Sequence, residues 1–271
     1  MALHDITPWP AEAIWEIVAP GLPGFTVEVV PEIDSSNAEL MRRARLGPQV
    51  PVLLVAEHQT AGRGRLGRQW LDRPGAAHTG PGTLMLSLGL PLCPKDWSGL
   101  SLAVGLSVAR SLHPDILLKW PNDLWWHDRK MAGILIETAH WGDANASRYV
   151  VIGVGINIAR PLQSGLSTAP AGLLELLPGV DAAQALLRVA APLVATVQRF
   201  EQLGFRPFQA EFNARDALAQ VPVALSDGSY GIAQGVDDVG ALLVATAQGL
   251  QRVTSAEVSV RPAPGPHASQ P

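Results

Sequence analysis

Four apolar runs between residues 50 and 158 constrain this chain more than any other feature. "VPVLLVAE", "TLMLSLGL", "MAGILIET" and "RYVVIGVGINI" carry at most one charge each and are dominated by Val, Ile and Leu. Runs of this length and composition are buried strands. Two shorter stretches, "ILLKW" and "DLWW", add strand-forming sequence ahead of the third run, across the turns "PND" and "HDRK". Buried strands need helices to cover them. Leu100, Ala103, Val104, Leu106 and Val108 read as a core helix, residues 181–203 as a long helix kinked at Pro192, and residues 208–218 as a shorter one. Upstream, "FTVEVVPEID" alternates like a strand. The helix after it has Ser36 and Glu39 at capping-box spacing and Gly47 as its stop. The expectation is an α+β chain, with a mixed sheet and packed helices spanning residues 1–218.

The character changes near Gln220. From there, short strand-like pieces follow one another across Asp-Gly and other tight turns. That pattern predicts a second, small β-barrel over residues 219–262, closed so that few strand edges remain free. Residues 263–271 hold too little apolar material to pack and are expected to form a disordered tail. A hydrophobic content of 47% with 16% charge excludes a solvating or disordered chain. The net charge of −4 argues against a general polyanion binder. Cys93 is the only cysteine, which excludes an internal disulfide and fits a reducing compartment. The N-terminus lacks the basic start and apolar run of a signal peptide, and no uninterrupted apolar stretch approaches the ~20 residues of a spanning helix. A cytoplasmic protein with no membrane partner is expected.

Three polar clusters break into or flank the apolar runs. Asp34-Ser35-Ser36-Asn37 reads first as a helix N-cap, and also as a set of short hydrogen-bonding groups for a polar ligand head. "QTAGRGRLGRQW", residues 59–70, puts three arginines on glycine-loosened backbone. A solvated loop, a nucleic-acid clamp and a cover over a small anion all fit such a run. Leu66 is the only bulky side chain inside it, which disfavours the nucleic-acid reading. Neither the phosphate-loop nor the dinucleotide fingerprint is present. "KWPNDLWWHDRKMAGILIE", residues 119–137, reads as strands with wet-face lysines, or as two cations bracketing an Asn-Asp turn at a site for carboxylate or phosphate.

Taken together, "GRGRLGRQW", "KWPNDLWWHDRKMAGILIE" and "VIGVGINI" resemble, in order and spacing, the signature blocks of biotin–protein ligases. "DSSN" is similar to that family's upstream Ser-Thr-Asn block, with Ser36 where threonine is more usual, and the C-terminal part resembles its SH3-like domain. The resemblance covers roughly residues 25–262 and implies an enzyme. It would join biotin to ATP as biotinyl-5′-adenylate, releasing pyrophosphate, and then pass biotin to a lysine of a carboxylase's biotin carboxyl carrier domain. By the same resemblance Ser35, Ser36, Asn37, Gln59, Gly62, Arg63, Gly64, Arg65 and Lys130 would hold biotin. Arg63, Arg65, Arg68, Trp70, Lys119, Asn122 and Asn157 would hold the nucleotide. Lys130, Lys119, Arg65 and Asp123 would serve catalysis, Asp123 as candidate base for the acceptor lysine.

The residue types suit that chemistry. A carboxylate attacking a phosphate brings two anions together, so fixed cations and positioning matter more than an activated nucleophile. Mg²⁺ is expected on the pyrophosphate, with its protein ligands unassigned. Only about 33 residues precede the Asp34 block, so no DNA-binding domain and no DNA partner are expected. A homodimer stays open. Rival readings are a lipoate–protein ligase, a non-catalytic biotin sensor and an arginine-glycine RNA-binding module.

Overall fold

Alternation along the strands decides which side of the sheet is dry. The computed structural model describes residues 8–47, 50–70, 81–139, 147–162, 168–225, 228–254 and 260–262. Seven strands form the large sheet: β1 (Thr26–Ile33), β2 (Val52–Gln59), β3 (Thr83–Leu92), β4 (Leu117–Lys119), β5 (Asp123–Trp126), β6 (Arg129–Ala139) and β7 (Arg148–Asn157). Their order is β1-β2-β3-β7-β6-β5-β4. The β1–β2 pair is parallel and the other pairs are antiparallel, so the sheet is mixed. Because side chains alternate, Leu53 and Val55, Leu84 and Leu86, and Ile152 and Val154 all fall into one apolar cluster. Helices α3 (Leu100–Leu112) and α4 (Ala182–Leu203) cover that side and bury Val104, Leu106, Leu186 and Leu193 against it.

On the opposite face the alternate residues meet less cover. Helix α2 (Ser36–Leu46) packs Leu40, Met41 and Ala44 over Val52, Leu54 and Val151 at one end. The rest of that face carries Ser87, Gly133, Gly153 and Gly155, paired across β3, β6 and β7. Small residues in the middle of a sheet mark a place where something else comes close.

Helix starts follow local chemistry. Asp181 accepts from the Gln184 amide at the head of α4, and Gln184 reciprocates, a capping box. The helix continues as one piece with Pro192 inside it. At α2 the expected pairing of Ser36 with Glu39 does not form. Ser35 is the cap, accepting from the Ala38 amide, and Glu39 instead binds Arg42 and Arg43. Ser36 is diverted because a stronger set of buried partners claims it. Helix α1 (Ala11–Val18), which the sequence reading did not assign, buries Ile14 and Val18 in the main core. Helix α5 (Gln209–Ala214) is shorter than the span expected for it.

The C-terminal unit holds β8 (Pro222–Leu225), β9 (Tyr230–Val236), β10 (Leu242–Thr246), β11 (Gly249–Val253) and β12 (Val260–Pro262). Their order is β11-β10-β9-β8-β12, which corrects the expected closed barrel. Among the described residues β11 and β12 lie at opposite edges and no pairing joins them; β12 offers only three paired residues. The small sheet shares the main core through Val223, Leu242 and Val244. Trp120, fully buried, donates from Nε1 to the carbonyl of Gly240 at 3.1 Å. Gly240 has a φ of +84° and lies so close to Gly99 that a Cβ would come within 2.8 Å of its Cα. Both constraints demand glycine there. The expected tail, residues 263–271, lies outside the described residues.

Candidate active site

The open part of the sheet face is the floor of a cavity of about 460 Å³. That volume suits a small-molecule ligand. Its deepest wall is a run of buried polar groups. Ser36 donates its backbone N–H to Gln59 Oε1 at 2.7 Å, and its hydroxyl lies 2.7 Å from the Ser87 hydroxyl. Ser87 donates to Asn37 Oδ1 at 2.6 Å. Asn37 Nδ2 donates to the carbonyl of Leu135 at 3.2 Å and to Glu137 Oε2 at 3.1 Å. Gly153 makes room for this amide, since a Cβ there would sit 2.2 Å from Asn37 Oδ1.

The direction of each hydrogen follows from its neighbours. Leu135 O and the Glu137 carboxylate only accept, so Asn37 must turn its NH₂ toward them and its oxygen toward Ser87. Ser87 spends its one proton on that oxygen. In the Ser36–Ser87 contact Ser36 is therefore the donor, with Gln59 Oε1 as a second acceptor of the same proton at 3.3 Å, and the Ser36 oxygen keeps lone pairs for an arriving N–H. A buried wall with a set polarity selects a ligand by which of its atoms donate.

The arginine-glycine loop lies across the mouth. An antiparallel bridge pairs Arg63 with Gln69; Gly64 N donates to Arg68 O at 2.7 Å, and Trp70 N to Gly62 O at 2.9 Å. Leu66 and Gly67 turn the tip, with φ of 56° and 70°. Arg63 Nη1 reaches Glu137 Oε1 at 3.3 Å. Trp70 rests on the bare backbone of two strands: a Cβ on Gly155 would come within 2.4 Å of the indole and one on Gly133 within 3.0 Å.

The cations gather on the side away from the serines. Lys130 Nζ lies 2.7 Å from Asp123 Oδ1 and 5.6 Å from the centre of the Trp70 ring. Its backbone is held from two sides: its N–H donates to Ala169 O, and its carbonyl accepts from Ala171 N. Asn157 Nδ2 braces the same region, donating to Ala171 O at 3.1 Å. Burial lowers the pKa of Arg65 from its ordinary value; the charge of Asp123 opposes that shift and Arg68 adds to it. A guanidinium stays charged even so, and one partly stripped of water gains most from an arriving anion.

All the expected site residues line this cavity except Gly62 and Lys119. Gly62 acts one step back, because a Cβ there would strike the Trp70 carbonyl at 2.4 Å. Lys119 pairs with Asp123 across β4 and β5 and places Nζ over Trp125, 5.2 Å from the ring centre. Sequence reasoning missed Ser87 and Glu137. A serine inside "LMLSLGL" and a glutamate ending "MAGILIE" were the available signals, but nothing local says that they meet. Among the described residues no group of three His, Cys, Asp or Glu side chains is assembled to hold a metal ion. No described helix is long and apolar enough to cross a membrane.

Residues 30–157 match the model of the Biotin/lipoate A/B protein ligase family, and residues 220–261 match the Biotin protein ligase C terminal domain. The chain is 36% identical over 255 residues to the Escherichia coli bifunctional ligase/repressor BirA, covering 89% of this chain and 76% of that protein. It is 33% identical over 243 residues to the biotin–[acetyl-CoA-carboxylase] ligase of Mycobacterium tuberculosis, covering 84% and 86%. Its fold matches the Aquifex aeolicus biotin protein ligase solved with biotin and ATP, at a TM-score of 0.72 and 27% identity over 88% of this chain and 99% of that one. The chain therefore belongs to the biotin protein ligase family, and it is a ligase.

Proposed function

We propose that this cavity takes biotin and ATP together, forms biotinyl-5′-adenylate, and passes the biotinyl group to a lysine of a biotin carboxyl carrier domain. The observation that carries this reading is the cavity's division into two chemistries. A buried neutral wall at Ser36, Asn37 and Gln59 faces a set of cations at Lys130, Arg65 and Arg68. Biotin has that same division, a ureido ring with N–H donors at one end and a carboxylate at the other. The ureido N–H meets the Ser36 oxygen, and the carboxylate reaches Lys130. A lipoyl ring has no N–H to offer such a wall, which favours biotin over lipoate.

In the first step a biotin carboxylate oxygen attacks the α-phosphorus of ATP, a P–O bond forms, and the bond to pyrophosphate breaks. Lys130 and Arg65 offset the repulsion between the two anions, and Arg68 and Lys119 add to the field. Asn122, whose side chain donates to Ile134 O at 2.8 Å, sits at the nucleotide end with Asp123 and Asn157. Mg²⁺ supplies further charge on the phosphates when bound. The Asp123 carboxylate is a hard oxygen donor lining the cavity that would hold it. In the second step the acceptor amine attacks the anhydride carbonyl, the acyl–O bond breaks, and AMP leaves. Asp123 takes the amine's proton in this reading. Trp70 and the loop keep water from the adenylate meanwhile.

The test is pyrophosphate release by the purified chain, together with transfer of labelled biotin to a carrier domain. Release that needs both biotin and ATP, followed by label on one carrier lysine, is the expected result. Release without biotin, or biotin binding without any release, removes the proposal.

A further inference from the structure

Glu137 stands just behind the cavity lining and touches both the buried polar wall, through Asn37, and the loop, through Arg63. It lies on β6 on the same face as Gly133 and Leu135. One carboxylate oxygen accepts from Asn37 Nδ2 at 3.1 Å, and the other lies 3.3 Å from Arg63 Nη1. Behind Asn37 the chain of hydrogen bonds runs through Ser87 and Ser36 to Gln59. We infer that Glu137 is a positioning residue that ties the arginine-glycine loop to the pocket floor, so that ordering of the floor around a ligand and closure of the loop support each other.

The chemistry requires a carboxylate. Glu137 accepts on both oxygens, whereas a glutamine of the same shape accepts on one and presents N–H on the other. Glutamine can therefore satisfy Asn37 or face Arg63 as acceptor, but not both. The Arg63 end is half-exposed, at 53% of its side-chain surface, so this arm alone is weak. The Asn37 end is buried, with 4% of the residue exposed, and holds Glu137 in place. A weak arm on a rigid anchor makes a latch that opens without disturbing the anchor.

For its ligand the inference rests on the biotin reading; for its geometry it does not. The first measurement therefore needs no ligand. A protease needs a segment that detaches and extends into its cleft, so trypsin cleavage after Arg65 and Arg68 should rise with the fraction of time the loop is lifted. Glu137→Gln should raise cleavage there by about two- to five-fold, the range expected for one partly exposed ion pair. Cleavage after Arg188, in α4, should not change. Arg63→Gln should raise cleavage after Arg65 and Arg68 by a similar factor, and the double variant should go no further. Unchanged loop cleavage in either single variant, multiplying effects in the double, or equal rises after Arg188 would each overturn the latch. Should Glu137→Gln fail to fold, Arg63→Gln decides from the loop side. The second measurement is kinetic: Glu137→Gln should raise the biotin KM and adenylate release several-fold while kcat at saturating biotin holds. A wild-type chain that releases no pyrophosphate sinks the ligase reading and leaves the cleavage result standing.

Discussion

The two faces of the seven-stranded sheet are built from alternate residues of the same strands, yet they do opposite work. Toward α3 and α4, Leu84, Leu86, Ile152 and Val154 pack dry and leave no room. Toward the cavity the intervening positions are Ser87, Gly153 and Gly155, which leave space and hydrogen-bonding groups. One strand therefore carries stability on its even residues and recognition on its odd ones. A period of two lets both be chosen without conflict.

Substitutions on the two faces should separate activity from stability. The largest effect is expected at Lys130. Lys130→Ala should lower kcat/KM for pyrophosphate release by about 10²–10³-fold, as for other groups that stabilise developing charge, with the melting temperature little changed. Lys119→Ala, two strands further out on β4, should stay within about ten-fold. Equal losses at the two lysines would erase the distinction between cavity and rim. On the dry face, Leu106→Ala should cost ~2–5 kcal/mol in urea unfolding while the biotin KM of the folded enzyme holds. A large KM change there would mean that the faces are coupled.

Arg65→Gly should release the adenylate early and place label on bystander proteins, since it removes a half-buried cation and loosens the loop. Retention of adenylate as tight as in wild type, followed by filter binding, would reject a sheltering role for Arg65.

Asp216 is the exception on the dry side. It is 8% exposed, beside β4, where Leu118 N donates to Arg215 O and Ala217 N to Leu118 O. Burial pushes its carboxyl up to about 6, partly offset by the hydrogen bond from Leu218 N. A carboxyl whose folded pKa lies above its unfolded value favours folding when protonated. The chain thus loses stability as pH rises from about 4 to about 6, and the penalty is complete above that. Asp216→Asn keeps the acceptor for Leu218 and removes the charge. It should stabilise the fold by ~1–3 kcal/mol at pH 7.5 and by nearly nothing at pH 4. Equal effects at both pH values would place the cause elsewhere.

Much of this was legible along the chain because it depends on neighbours in sequence. The apolar runs became β2, β3, β6 and β7 at nearly the expected bounds, and "HDRK" became a tight turn with His127 and Asp128 at positive φ. The polar blocks converged on one cavity. What stayed hidden depends on groups 50 and 100 residues apart. Ser36 looked like half of a capping box until Ser87, 51 residues on, claimed its hydroxyl. Glu137 ended an apolar strand run with no role assigned to it; its partner Asn37, which donates to it, lies 100 residues back. Trp120 read as part of a charged block, but it is a core side chain that anchors the small sheet. Barrel closure also failed as an expectation, because edge pairing is a property of the assembled strands.

Residue type and spacing alone determined the strands, the core helices and the loop's three cations, because hydrophobic period and charge are written locally. Tertiary structure decided which hydroxyl donates, which lysine reaches the cavity, and what holds the loop down. Those outcomes turn on distances of about 3 Å between groups far apart in sequence, and only packing sets such distances.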